Sequence, residues 1–415
     1  MRELPQKGKT WPILEEELKN LKSGDYNWRR GRLPHYIWSV DDELFDVQMR
    51  AYSIYHAENA LGAKRAFPSL DRMERDIIEM ALSFLGGESR SDGSFTSGGT
   101  ESIFLAVKSA RDYARATRGA MERPNIVLSE TAHPAFNKAA HFLGLTARRL
   151  PTTEDFRSDV QAMAAAIDSE TIMLVGSAPQ YPNGVFDRIE ELGALAQERS
   201  LWLHVDACVG GFLAPFARKL GHPIPPFDLS VPGVTSLSAD LHKYGCCMKG
   251  ASLVLYKDGR MKEHQRFSLD WVRGTYATET FPGTRPGGPI AAAWAVMHYL
   301  GMEGYVEKAR AILDTVGKYV NGIAAIDGLE IIKPYDLSII AYASKKPDLD
   351  INAVADLMGE RGWFVGRSQK PKDCIQMALN PVHGLVVDEY LNDLKECVAV
   401  VSQKGLKGAF NKSSY

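Results

Sequence analysis

Three short stretches hold the side chains best suited to chemistry. In residues 238–245 (SADLHKYG), Lys243 stands among apolar and aromatic neighbours. Such surroundings lower the pKa of an amine and ready it as a Schiff-base nucleophile, although a solvated surface site is the commoner fate of a lysine. In residues 203–208 (LHVDAC), Asp206 closes an apolar run. Strand ends in open α/β sheets face the ligand crevice, where an acid can meet a cation or a protonated ring nitrogen; a turn-initiating Asp reads equally well. In residues 95–102 (FTSGGTES), two glycines precede a helical pattern. The free N–H groups of a first helical turn suit a phosphate, and Thr100 adds a hydroxyl or simply caps the helix. The run is neither GxGxxG nor a Walker loop, so it gives no support to nucleotide binding of those kinds.

Order along the chain says more than any one stretch. A Gly-Gly-Thr helix start, an isolated His133-Pro134, Asp206 at a strand end and His242-Lys243 follow one another. Together they meet the needs of pyridoxal 5′-phosphate (PLP). The phosphate goes to the helix start, the aldehyde to Lys243, the pyridine nitrogen to Asp206 and the ring face to His133. A protonated pyridine strengthens the electron sink for a carbanion. Taken alone, His133 reads as an ordinary core or capping histidine.

The elements that must position these groups come from periodicity. Short apolar runs at 125–129, 147–150, 173–177, 202–206, 236–238 and 252–256 read as buried strands. They alternate with helical stretches at 134–143, 159–167 and 188–198, a mainly parallel sheet covered on both faces. A helix is expected over 100–117 and another over 290–300, where the chain leaves that domain. The last hundred residues read as a small α+β unit. The expected division is an N-terminal arm (1–60), a large cofactor-binding domain (61–305) and a small C-terminal domain (306–415).

Bulk properties narrow the class. The 415 residues carry 49 Lys and Arg against 51 Asp and Glu, a net charge of -2, which gives no bulk reason to bind nucleic acid. Five scattered cysteines form neither a disulfide framework nor a zinc pattern. No apolar run reaches the roughly 18 residues of a spanning helix, and the polar N-terminus does not read as a signal peptide. The expectation is a soluble, cytoplasmic protein without metal.

These motifs make the chain resemble the sphingosine-1-phosphate lyases, fold-type I PLP enzymes related to the group II decarboxylases. The resemblance runs from about residue 38 to 366 and is carried by residues 96–103 (TSGGTESI), 132–140 (AHPAFNKAA), 204–213 (HVDACVGGFL), 233–252 (GVTSLSADLHKYGCCMKGAS) and 282–288 (PGTRPGG). It implies that Lys243 bears the cofactor, Asp206 meets the pyridine nitrogen and His133 stacks on the ring. Gly99, Thr100 and His242 match contacts on the phosphate side. Gly283 and Thr284 match a loop that reaches the cofactor of the neighbouring subunit, so a homodimer with shared sites is implied. Tyr181 matches a position near the reacting centre, suited to the proton of the substrate's 3-hydroxyl; a packed turn aromatic is the other reading. Lys249 matches a contact to the substrate phosphate. The implied reaction cleaves a phosphorylated long-chain amino alcohol to a fatty aldehyde and phosphoethanolamine.

The chain also departs from the family pattern. Asn59 is kept in residues 59–62 (NALG), but Gly62 stands where the lyases have histidine and Ile37 where they have tyrosine. Tyr36, Lys64 and Arg65 are the nearby groups able to compensate, and Tyr36 joins Asn59 and Lys249 as the expected substrate contacts. A different head group fits this departure as well. The membrane-anchoring N-terminal segment of the eukaryotic lyases is expected to be absent. The rival activity is an amino-acid decarboxylase of the same fold, which needs a cationic clamp such as Arg273 or Arg285 for the substrate carboxylate.

Overall fold

The computed structural model describes residues 1, 3–38 and 41–409. Its centre is a seven-stranded sheet of β1 (Asp92–Thr96), β2 (Asn125–Ser129), β3 (Thr146–Leu150), β4 (Thr171–Ser177), β5 (Trp202–Asp206), β6 (Val234–Ala239) and β7 (Ser252–Tyr256). The spatial order is β1-β7-β6-β5-β4-β2-β3. Strands β2 to β6 run parallel, while β7 is antiparallel to both β6 and β1. All five residues of β2 and β5 and all seven of β4 are buried. They therefore read as continuous apolar runs, as central strands covered on both faces should.

Register gathers the chemistry at one end of this sheet. Ser177, Asp206 and Ser238 lie side by side where β4, β5 and β6 finish. Thr96, the last residue of β1, pairs with Ser252 at the start of β7. The loop of residues 97–98 thus opens beside the turn that follows β6. From it starts the helix Gly99–Arg118, which packs across β4 to β7 on Ile103, Ala106, Val107 and Ala110. Glu101 in its first turn and Arg115 and Arg118 in its last complement the helix dipole.

The strand β1 has no counterpart in the sequence-based expectation, which placed only a Gly-rich turn there. It opens on Asp, Gly and Ser, which do not favour strands; pairing with β7 decides their conformation, as tertiary context does for strands generally. The exposed hairpin of β8 (Phe267–Trp271) and β9 (Gly274–Thr278) was likewise not anticipated.

A helix over Gly287–Ala324 leads to the C-terminal part, with a break in helical geometry at Gly301. The two helices expected over 290–300 and 306–323 are its two halves. A four-stranded antiparallel sheet follows, ordered β10-β11-β13-β12, from β10 (Leu329–Ile332), β11 (Ile339–Ser344), β12 (Gly366–Ser368) and β13 (Cys374–Ala378). Helices Ile351–Glu360 and Val387–Lys404 complete it. Among the described residues no helix is long and apolar enough to cross a membrane.

Candidate active site

The turn after β6 carries Asp240, His242 and Lys243. Lys243 Nζ lies 3.1 Å from Asp240 Oδ2, and His242 Nε2 lies 3.5 Å from the same oxygen. Burial by itself depresses the amine, but the nearby Asp240 carboxylate, with Asp206 further off, outweighs burial and raises its pKa. Burial likewise favours the protonated acid at Asp240, and the charge of Lys243 with a hydrogen bond from His242 overrides it and holds the pKa low. In its resting form the turn is an ion pair.

A chain of hydroxyls fixes that ion pair from below. Thr96 Oγ1 and Ser102 Oγ are 2.6 Å apart, Ser102 Oγ and Ser252 Oγ are 2.9 Å apart, and Ser252 Oγ donates to Asp240 Oδ1. Asp206 is fixed in a similar way. Its Oδ1 accepts from the Cys208 N–H at 3.1 Å and from Ser238 Oγ at 3.2 Å, and neither bond uses Oδ2. Behind it the buried His204 ring spans Ser236 and Ser238, with burial lowering its pKa to about 4. His133 accepts the Ala135 N–H at Nδ1, 3.1 Å away, which sets the ring orientation at the start of the helix Ala135–Leu143. Its pKa is lowered, by burial first; the Asp206 carboxylate raises it and the Lys243 charge lowers it, so both groups lie within electrostatic reach.

The helix start is cut to fit this floor. A Cβ on Gly99 would stand 2.8 Å from Cys208 Sγ and 3.0 Å from either Asp240 oxygen, so only glycine keeps the first turn against the Asp240–Lys243 turn. Thr100 is exposed at that turn. A basic amine, an acid at a strand end, an imidazole within electrostatic reach of both and an open helix N-terminus are the donor set that PLP needs. The residues present fit that cofactor.

The rim is assembled from distant segments. Trp38 spans the two lysines, its ring centroid 4.8 Å from Lys249 Nζ and 5.8 Å from Lys243 Nζ. Lys249 also donates to the His242 carbonyl at 3.3 Å. Desolvation, and then repulsion from Lys243, lowers its pKa to about 8. Tyr181 follows β4 by four residues, at the same sheet end, and its hydroxyl is 2.8 Å from His35 Nδ1. Tyr36 instead lies half-exposed against His35 and Phe364, so Trp38 is the aromatic of this segment that meets the lysines. Lys64 and Arg65 are exposed.

Asn59 is engaged within the chain. It accepts from Leu61 N–H and Arg285 N–H and donates to Thr284 Oγ1 at 3.3 Å. These contacts and the approach of Tyr276 to Gly283 tie the Gly283-Thr284 loop to Asn59 and the hairpin, rather than to Lys243 of the same chain. Arg285 forms a half-buried ion pair with Glu74, and Arg273 sits exposed beyond the end of β8. Neither stands at Lys243 as a carboxylate clamp.

Three groups at the site escaped the sequence reading. Asp240 was visible three residues before Lys243 in a stretch already singled out, and an acid one turn from a buried lysine was the missed signal. Glu101 accepts from Ser97 N–H and Oγ, both at 2.7 Å, and from Phe281 N–H at 2.9 Å, so it joins the phosphate-side loop to the PGT loop. His35 gave no local signal, because its role depends on contacts with residues 181 and 376, more than a hundred positions away.

Fold and site together define a PLP-dependent enzyme, and the comparisons agree. Residues 68–345 match the model of the pyridoxal-dependent decarboxylase conserved domain. The chain is 40% identical to the Oryza sativa sphingosine-1-phosphate lyase, over 96% of this chain and 74% of that one. It is 38% identical to the Rattus norvegicus sphingosine-1-phosphate lyase 1, over 97% and 70%. A solved sphingosine-1-phosphate lyase from Burkholderia pseudomallei superposes with a TM-score of 0.92 at 37% identity, covering 97% of this chain and 94% of the other. The chain belongs to the sphingosine-1-phosphate lyase family, as its motifs led one to expect. A glutamate decarboxylase from Lactobacillus brevis, at 18% identity and a TM-score of 0.85, shares the fold.

Proposed function

We propose that this chain cleaves the Cα–Cβ bond of a phosphorylated long-chain amino alcohol of the sphingosine 1-phosphate type, giving a fatty aldehyde and phosphoethanolamine. The observation that carries this reading is the pair of ammonium groups under one indole. Lys243 is held for the cofactor, and Lys249, 4.8 Å from the same ring centroid, is a separate cation for a substrate phosphate. Decarboxylation would instead call for a carboxylate clamp, and Arg285 is already committed to Glu74.

When bound, PLP supplies the electron sink that makes the Cα–Cβ bond breakable. The chain supplies the rest. Lys243 would hold the aldehyde end of the cofactor, Asp206 its pyridine nitrogen and His133 its ring, with Gly99, Thr100 and His242 on the phosphate. The single proton of the substrate's 3-hydroxyl is shared between the Tyr181 oxygen, which orients it, and the released Lys243 amine, which takes it. The O–H electron pair becomes the aldehyde carbonyl, the Cα–Cβ pair stays on Cα, and the proton is returned there. Lys249, beside the Trp38 indole, would receive the head group and so orient the bond to be broken.

The enzyme works in the cytoplasm as a homodimer, with Gly283 and Thr284 completing the partner's site. Apolar surface supports the dimer: Trp271, Val272 and Phe281 are 57%, 91% and 73% exposed around the loop that would cross over. Five buried free thiols suit a reducing compartment. The three-part division at residues 60 and 305 goes with this reading.

The test is product analysis of PLP-loaded protein given sphingosine 1-phosphate, with aromatic and acidic amino acids in parallel. Fatty aldehyde with phosphoethanolamine is the expected outcome. Release of CO2 from an amino acid would move the chain to the decarboxylases.

A further inference from the structure

His35 reaches the site from outside both sheets. It is 4% exposed, and its two ring nitrogens face different partners. Nε2 lies 2.8 Å from the Gln376 carbonyl, and Nδ1 lies 2.8 Å from the Tyr181 hydroxyl. A carbonyl only accepts, so Nε2 carries the ring proton and Nδ1 is the acceptor. The Tyr181 hydroxyl therefore donates to His35. Burial lowers the imidazole pKa to about 4, which keeps this polarity fixed at neutral pH.

The surroundings are shaped for that ring. A Cβ on Gly366 would stand 2.2 Å from His35 Nε2, so β12 admits the imidazole only with glycine there. Gln376, on β13, holds the other end of the same tyrosine. Its side-chain amide donates to the Tyr181 and Pro182 carbonyls, while its own carbonyl takes the His35 proton. Tyr181 is thus gripped at both backbone and hydroxyl by one residue pair, His35 and Gln376.

We propose that His35 is a positioning residue for the carbon–carbon cleavage: by taking the Tyr181 hydroxyl proton into a hydrogen bond, it presents the phenolic oxygen as an acceptor to the substrate's hydroxyl. Without it the bond that holds the phenolic proton toward His35 is lost, and the substrate hydroxyl loses its alignment toward the base. This inference rests on the role given to Tyr181 above.

The experiment is a double-mutant cycle on PLP-loaded enzyme with sphingosine 1-phosphate, following aldehyde release. The variants are His35→Phe, His35→Gln, Tyr181→Phe and His35→Phe with Tyr181→Phe. Visible cofactor absorbance checks that each is folded and loaded, and His35→Leu replaces the phenylalanine if Gly366 cannot accommodate it. His35→Phe is expected to lose about ten- to a hundredfold in kcat, as misalignment of a reacting group does, with KM little changed. Glutamine, which offers one acceptor and one donor, restores most of the rate. The double variant is no slower than Tyr181→Phe alone. A His35→Phe enzyme at full kcat, or losses that multiply in the double variant, overturns the inference while leaving Tyr181 in place. Full activity of Tyr181→Phe removes the role of Tyr181 and that of His35 with it.

Discussion

The floor of the site and its rim are built in different ways. Asp206, Asp240 and Lys243 stand on or just beyond strand ends, and each acid is pinned by buried hydroxyls or backbone N–H groups. Little there can move without breaking the sheet. The rim takes Trp38 and His35 from a segment ahead of the sheet, Tyr181 from a loop, and Lys249 from the turn before β7. The positions that hold the cofactor are thus fixed by regular structure. Those that meet the substrate are held by a few side-chain contacts between distant segments. Cofactor chemistry can be preserved on the floor while the rim varies, as Gly62 and Ile37 depart from the family pattern here.

The largest effect is expected at the floor. Lys243→Ala should remove the visible absorbance of the bound cofactor and lower turnover by at least about a thousandfold. Steady-state turnover retained by this variant would dissolve the distinction altogether. Asp240→Asn comes next. It leaves the Lys243 ammonium without its counter-charge, and breaking a buried ion pair costs about 3–5 kcal/mol. The unloaded protein should melt earlier and kcat should fall about a hundredfold. An unchanged melting temperature would show that the ion pair is not what holds the turn.

The same contrast explains what could be read from sequence. The floor was legible because it is local: Lys243, Asp206 and His133 each lie in a short motif, and buried parallel strands announce themselves as apolar runs. The strands β2 to β7 fall where the periodicity placed them, within a residue or two. The strand β1 was not legible, since DGSFT becomes a strand only by pairing with β7. Asp240 was overlooked inside a motif already quoted. The rim resisted for a different reason. Tyr36 was expected to meet the substrate, but its ring packs on His35 and Phe364, while the Trp38 indole lies over the lysines. Asn59 was read as a substrate contact, and its side chain is engaged with residues 61, 284 and 285.

At the rim the effects should appear in KM. Lys249→Met removes one charge-assisted contact to a phosphate, and KM should rise about ten- to a hundredfold with kcat and cofactor absorbance nearly unchanged. The pH dependence gives a second readout. With its pKa lowered to about 8, Lys249 is cationic below that pH and loses its proton above it. KM for the phosphorylated substrate should be flat below about pH 8 and climb roughly tenfold per unit beyond it. Lys249→Arg, charged throughout, should abolish the climb. A KM that ignores pH in the native enzyme would place the phosphate elsewhere.

Trp38 is where floor and rim meet, and its effect should be the smallest. A cation over an indole face gains about 0.5–2 kcal/mol, so Trp38→Leu should raise KM by roughly two- to tenfold. Trp38→Phe, which keeps a ring face, should fall between. The sharper result concerns the titration of Lys249. Desolvation is the main cause of its lowered pKa, and the indole is the large apolar group lying over its ammonium. Removing that cover lets water reach the amine, so the pH at which KM begins to climb should move upward in Trp38→Leu. If KM rises while that break stays near pH 8, Trp38 shapes the pocket without tuning the lysine. The low pKa then belongs to the floor, set by Lys243 nearby, and the rim contributes only contact.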